Sequence, residues 1–230
     1  MNHDTQAYLD AHFLRIEEMA AAAGIAPRRL RELVDAGLVP APSYVARGPE
    51  LVSAAFGSLA CAGLAAGEYM HRGMQAWIAA ALEAIREHGD AGANAALRRA
   101  FATELGAALS ALRRQGLSAP DGLDANGQAD DAALDAWIDS LWQAHMQGIF
   151  GVCVRNPGDI AAIANKETAQ ALLGRLTDNG DRQAYSAEEA ARLRALIARY
   201  AEACAPFTPL EYPRSSRKRY VEDLPKRLAG

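Results

Sequence analysis

Histidine, cysteine and arginine fall close together in one stretch, WQAHMQGIFGVCVR, which carries His145, Cys153 and Arg155. Histidine is the side chain most readily tuned for acid–base work near neutrality, and a cysteine beside a cation can become a thiolate nucleophile. These three are the candidate catalytic residues. The sequence offers no third group to orient them. A lone histidine beside Trp142 on an apolar helix face is ordinarily a packing residue, as is an isolated cysteine. Residue types alone therefore leave open whether the protein is an enzyme.

A second cluster lies near the end of the chain, where Arg214, Arg217, Lys218 and Arg219 stand between Tyr212 and Tyr220. Arginines bind carboxylates and phosphates through two parallel hydrogen bonds, so these four are candidate contacts for an acidic ligand, a phosphate or an acidic protein partner. Glu68 and His71 have the Glu-x-x-His spacing that places two metal ligands on one helix face. A di-iron bundle needs a second copy, which the sequence lacks, so no metal site is expected. No glycine-rich phosphate loop, Ser-His-Asp arrangement or dinucleotide fingerprint occurs, and no cofactor is expected.

The elements that must hold these residues read as helices. Half of the 230 residues are apolar, alanine is the commonest, and aromatics make up only 7%, a mixture that favours helix because alanine loses no side-chain entropy there. Trp77, Ile78, Leu82 and Ile85 form one helical stripe, and Leu97, Phe101, Leu105, Ala108 and Leu112 another. Leu134, Trp137, Ile138, Leu141, Trp142, His145 and Ile149 mark a third. Val152 and Val154 in the segment that follows point to a short extended piece or the end of that helix. Further helices are expected from about Asp159 to Leu176 and from Ser186, where Ser186 and Glu189 make a capping box, to about Cys204. The uncharged run 51–67, LVSAAFGSLACAGLAAG, is too short of strongly apolar residues for a bilayer span and is expected as a buried core helix. The tail from Glu211 is expected to be irregular.

The predicted fold class is therefore mainly α, an N-terminal helix-turn-helix followed by a helical bundle with at most a short extended segment. The divisions are a head over 1–47, a helical region over 48–115, a linker over 116–131 and a C-terminal helical region with a basic tail over 132–230. In the head, Gly24 supplies the turn, Pro27 the first helical position and Gly37 the C-terminal cap. Three cysteines, Cys61, Cys153 and Cys204, far apart and odd in number, indicate neither a disulfide framework nor structural zinc. No secretory signal opens the chain, and a cytoplasmic location with no membrane partner is expected.

The head resembles that of the MerR-type regulators at Ile16, Glu18, Met19, Ala20, Gly24, Ile25, Leu30, Arg31, Gly37, Leu38, Val39 and Pro40. That resemblance implies that Arg28, Arg29 and Arg31 face the major groove or the adjacent phosphates. The chain departs from the regulator pattern at Glu32-Leu33, which replaces an aromatic pair, and in lacking a glycine-arginine wing after Pro40. Residues 1–50 hold five arginines and no lysine against seven acids, a poor balance for an interaction driven by phosphate neutralisation. The order of YLDAHF, GLVPAPSY, WQAHMQGIFGVCVRNPGDIA and APFTPLEYPRSSRKRYV is similar to an uncharacterised bacterial family labelled as natural-product biosynthesis proteins. The resemblance implies a role in specialised-metabolite biosynthesis and brings no catalytic residue with it. The leading expectation is a soluble biosynthetic protein whose head serves packing or protein contact. The alternatives are a DNA-binding regulator and an interaction module that docks its tail on an acidic partner.

Overall fold

The computed structural model describes residues 2–118 and 131–228. The chain builds a sheet before it builds a bundle. Strands β1 (Phe13–Arg15), β2 (Tyr44–Arg47), β3 (Glu50–Ser53), β4 (Gly57–Ala60) and β5 (Gly67–His71) pair antiparallel in the order β1-β5-β2-β3-β4. Helix α1 (Asn2–His12) precedes the sheet. Two short helices, α2 (Ile16–Ala22) and α3 (Pro27–Asp35), fill the crossover from β1 to β2 and bury Met19, Ala20, Leu30 and Leu33 in the core.

The mainly α architecture expected from the sequence, with a helix-turn-helix head, is thus corrected to a mixed α/β one in which α2 and α3 are an insertion between neighbouring parts of a sheet. The strands are three to five residues long, too short for a period of two to stand out against the alanine background. The run 51–67, expected as a buried helix, holds most of β3, a turn, β4 and a loop. Gly57 and Gly63 in that run have φ of 73° and 81°, a left-handed backbone that ends any helix. Strand pairing overrides alanine propensity here. Glu68 and His71 lie on β5, where residues three apart point to opposite faces. Their Glu-x-x-His spacing has no helical meaning.

The second half is helical. Helix α4 (Met74–Arg114) is interrupted at Gly89, and α5 (Asp131–Met146), α6 (Ile149–Cys153), α7 (Ile160–Thr177) and α8 (Ala187–Ala203) follow. The expected linker falls, over residues 119–130, outside the described residues. Asp159 caps α7 by accepting from the amides of Ala161 and Ala162 at 2.9 and 3.2 Å. Ser186 and Glu189 close a reciprocal box at the start of α8. Helix α7 is the central one, packed on both α4 and α8 and buried around much of its circumference by Ile160, Ile163, Ala164, Ala169, Leu172 and Leu173. Trp77, Phe101, Trp142 and His145 knot α4 to α5, with ring centroids 4.4–6.3 Å apart.

The tail expected to be irregular is folded. A 3-10 turn at Tyr212–Arg214, a wide π-type helix at Lys218–Asp223 and α9 (Leu224–Arg227) carry it back over the bundle, burying Tyr220, Leu224 and Leu228. No helix among the described residues is long and apolar enough to cross a membrane.

The two halves meet backbone to backbone. A Cβ built on Gly148 would collide with the carbonyl of Ala41, one on Gly151 with Ser43 Oγ, and one on Gly158 with the carbonyl of Gly73. Gly151→Ala and Gly158→Ala should each lose about 1–3 kcal/mol of stability through overpacking. Gly106→Ala, in open space on α4, should gain up to about 1 kcal/mol from helix propensity. Urea denaturation of the three variants checks the opposite signs.

Candidate functional site

Helices α5 and α7 and the strand-like segment after α8 leave a cleft of 390 Å³. Its walls are aromatic. Trp137 comes from α5, Phe150 from α6, Phe207 from the chain after α8, and Phe56 from the turn between β3 and β4. Phe56 and Phe207 meet edge to face at 5.9 Å. Past Trp137, Glu167, Gln170 and Ser216 the cleft continues into a hollow of 490 Å³ that adds Arg175, Asp178, Asn179 and Arg219.

Phe207 is held in a left-handed backbone, φ 64°, which costs a non-glycine residue on the order of 1–3 kcal/mol. Its neighbours enforce the turn. Glu211, fully buried, accepts from Thr208 Oγ1 at 2.8 Å and from the Thr208 amide at 3.3 Å, and Tyr44 Oη of β2 donates to the same oxygen at 2.7 Å. A tyrosine from the sheet therefore fixes the turn that aims Phe207 at the cleft.

Lys166 and Cys153 line the inner part of the cleft, next to Glu167. The Lys166 side chain is 4% exposed, and its Nζ donates to Glu167 Oε1 at 2.7 Å and to Cys153 Sγ at 3.4 Å. Burial opposes the ammonium charge, but the Cys153 sulfur and the Glu167 carboxylate outweigh it and hold the Lys166 pKa well above the usual lysine range. Burial pushes the Cys153 thiol up to about 11 despite the opposing lysine. The cleft thus presents the Lys166 ammonium beside the Cys153 sulfur and the Glu167 side chain. An ammonium carries three donors, and two of those on Lys166 are met within the chain.

The candidate catalytic residues occupy different surroundings. Cys153 lines the cleft, while His145 is packed among Trp77, Phe101, Trp142 and Phe150. His145 Nε2 has no hydrogen-bond partner, and burial lowers its pKa to about 3, so the ring is neutral. Arg155 is exposed and donates from Nε to Glu202 O at 2.7 Å and from Nη2 to Ala201 O at 3.2 Å. It caps the carbonyl end of α8.

Of the tail cations, Arg217 joins that cap, donating to Ala201 O at 3.0 Å and Cys204 O at 3.2 Å, and Lys218 pairs with Asp223 at 2.6 Å. Arg214 and Arg219 are exposed and lie over the Phe56 and Tyr220 rings. In the first half, Arg28 and Arg29 pair with Glu32 at 3.1 and 3.4 Å, Arg29 also reaches Asp90 at 3.6 Å, and Arg31 bridges Glu17 at 2.6 Å and Glu68 at 3.1 Å. No group of three or more metal-ligating side chains occurs among the described residues.

Sequence reasoning passed over Lys166, Glu167, Phe56, Phe207 and Glu211. One signal was available, since Lys166 stands on the apolar stripe of α7 between Ile163 and Ala169, where a solvated charge is out of place. Phe56 and Phe207 had none, because their meeting depends on how the sheet docks.

The chain belongs to the family of unknown function DUF6058, which matches residues 97–229. No curated protein and no solved structure matches it. The match begins inside α4 and includes every cleft residue except Ala55 and Phe56.

His145 makes stability depend on pH. Its folded pKa of about 3 lies below the ordinary 6.5, so between those values the unfolded chain binds the proton and the folded one does not. Stability is complete above about pH 6.5 and falls as pH drops towards 3, by about 3 kcal/mol at pH 4 from this residue. His71, lowered to about 4 mainly by burial, adds the same sign. Chemical denaturation at pH 4–7 should show a shallower slope for His145→Gln than for the unsubstituted chain.

Proposed function

We propose that this protein binds an amphipathic small molecule in the cleft between α5, α7 and the C-terminal segment, as a cytoplasmic component of specialised-metabolite biosynthesis. The observation that carries the binding reading is the Lys166 ammonium, buried on an aromatic-walled cleft with one donor unspent. Desolvating a charge costs several kcal/mol before its partners offset it, and an apolar residue of similar volume is often as stable or more so. A ligand acceptor that takes the third hydrogen gives that charge a use that packing does not. The aromatic walls supply the apolar contact typical of small-molecule sites. The biosynthetic context comes from the whole-chain resemblance, and the buried Cys153 and Cys204, which form no disulfide among the described residues, accord with a reducing compartment. Regulation through DNA has less support, because Arg28, Arg29 and Arg31 are spent on Glu17, Glu32 and Glu68.

The reading is tested by native mass spectrometry on protein purified from its own host, where a retained small molecule is expected. Lys166→Met should weaken its retention about tenfold or more, the value of a hydrogen bond to a charged group. The same variant should change stability by no more than about 1 kcal/mol, because Glu167 is partly exposed and can be hydrated. Deleting the gene should remove or alter a metabolite while transcripts of the pathway stay normal. An unchanged metabolite profile, or a promoter gel shift lost in Arg28→Ala/Arg31→Ala, would overturn the proposal.

A further inference from the structure

Three arginines line a hollow where the cleft ends. Beyond Asn179 and Arg219 it opens into a hollow of 220 Å³ lined by Arg214, Lys218, Arg219 and Arg227, with Asp181 and Asp223 as its acids. Lys218 and Asp223 neutralise each other at 2.6 Å. The side chains of Arg214, Arg219 and Arg227 make no hydrogen bond or ion pair to another described residue. Two of them are nonetheless positioned. Arg214 Cζ lies 5.5 Å from the centre of the Phe56 ring and Arg219 Cζ 5.8 Å from that of Tyr220. The Arg219 stem runs so close to Gly180 that a Cβ there would stand 3.1 Å from Cγ. A guanidinium held by a ring face keeps its N–H groups for another acceptor.

The balance is unusual for this molecule. With Lys218 and Asp223 cancelled, three positive groups face Asp181 alone, in a chain whose net charge is −4. Like charges gathered in one hollow repel unless an anion stands among them. The surplus of two positive charges matches a phosphate group, which carries about −1.5 to −2 and three strong acceptor oxygens. The arginine fork takes such oxygens in pairs.

We infer that the hollow lined by Arg214, Arg219 and Arg227 is an anion site that takes the phosphate or diphosphate group of a ligand whose apolar part lies between Trp137 and Phe207. This rests on the reading of the cleft as a small-molecule site. The three cavities adjoin through residues they share, and the proposed ligand lies along them: Trp137, Glu167, Gln170 and Ser216 line the first two, and Asn179 and Arg219 the last two. Arg217, engaged with the end of α8, has no part in the site.

Titrating the full chain with octyl phosphate, octanol and inorganic pyrophosphate separates the two claims, read by calorimetry and by tryptophan fluorescence. Octyl phosphate should bind at least about tenfold more tightly than octanol, an advantage carried by charge-assisted hydrogen bonds. Arg219→Gln/Arg227→Gln should erase that advantage and the binding of pyrophosphate. Arg192→Gln, on the exposed face of α8, should alter none of the three. Equal affinity for octanol and octyl phosphate would overturn the anion site and leave the cleft reading standing. Pyrophosphate binding without either octyl compound would retain the arginine site and remove the cleft reading together with the joined ligand. Binding to phosphatidic-acid vesicles but not to octyl phosphate would assign the arginines to a lipid surface and overturn the inference.

Discussion

The backbone of residues 148–158 lies directly on the sheet half, and three missing Cβ atoms allow it. Gly148, Gly151 and Gly158 each face an atom of the first half at a distance that no side chain could share. The contact is then locked by polar groups. The Ala41 amide donates to Met146 O at 2.9 Å, Ser43 Oγ to Gly148 O at 3.0 Å, and Tyr44 Oη to the buried Glu211 carboxylate. Residues 41–44 lead into β2, the middle strand of the sheet, so the seam fixes where the whole sheet sits. The cleft inherits that position. Phe56 reaches Phe207 and supports Arg214 only because the turn after β3 is brought over the helical half.

The legible and illegible parts of this fold divide along the same line. Helices α7 and α8 were readable to within a residue or so, because their caps are local: Asp159 and Ser186 satisfy amides two or three positions away. The sheet was not readable. Its register places Phe13 against His71 and Tyr44 against Tyr69, partners with no trace in local periodicity. The glycines at 148, 151 and 158 have their reason in contacts with residues about a hundred positions earlier. Candidate chemistry followed the same rule. Cys153 was visible as a residue type, but its partner Lys166 was hidden in an apolar helix. Arg155 and Arg217 were visible as charges, and their role as a helix cap emerged only with the end of α8 in place.

Charge is distributed here by commitment rather than by number. Arg28, Arg29 and Arg31, conspicuous in the sequence, are each tied to a glutamate, and Arg31 is tied to two. Such exposed pairs add little to stability, but they remove the unspent positive potential that a polyanion would need. In the tail the balance differs. Arg217 and Lys218 are engaged, and the neighbouring Arg214 and Arg219 are held by aromatic faces instead of carboxylates. Counting cations along the chain treats these groups alike, whereas their partners separate those that support the fold from those left to meet something else.

The span of the family match gives this division a further consequence. Residues 97–229 contain the buried Lys166–Glu167 pair, the turn that strains Phe207, and all three arginines at the far end of the cleft. They do not contain Phe56 or Tyr44. The polar and charged features of the cleft therefore belong to the matched region, and one aromatic wall and the tyrosine that steadies Phe207 are brought from outside it. A wall supplied by a separate unit sets the width of an apolar slot without touching the charges within it. In this chain, then, the helical half provides the groups that would hold a ligand's polar end, and the docked sheet shapes the space for its apolar body.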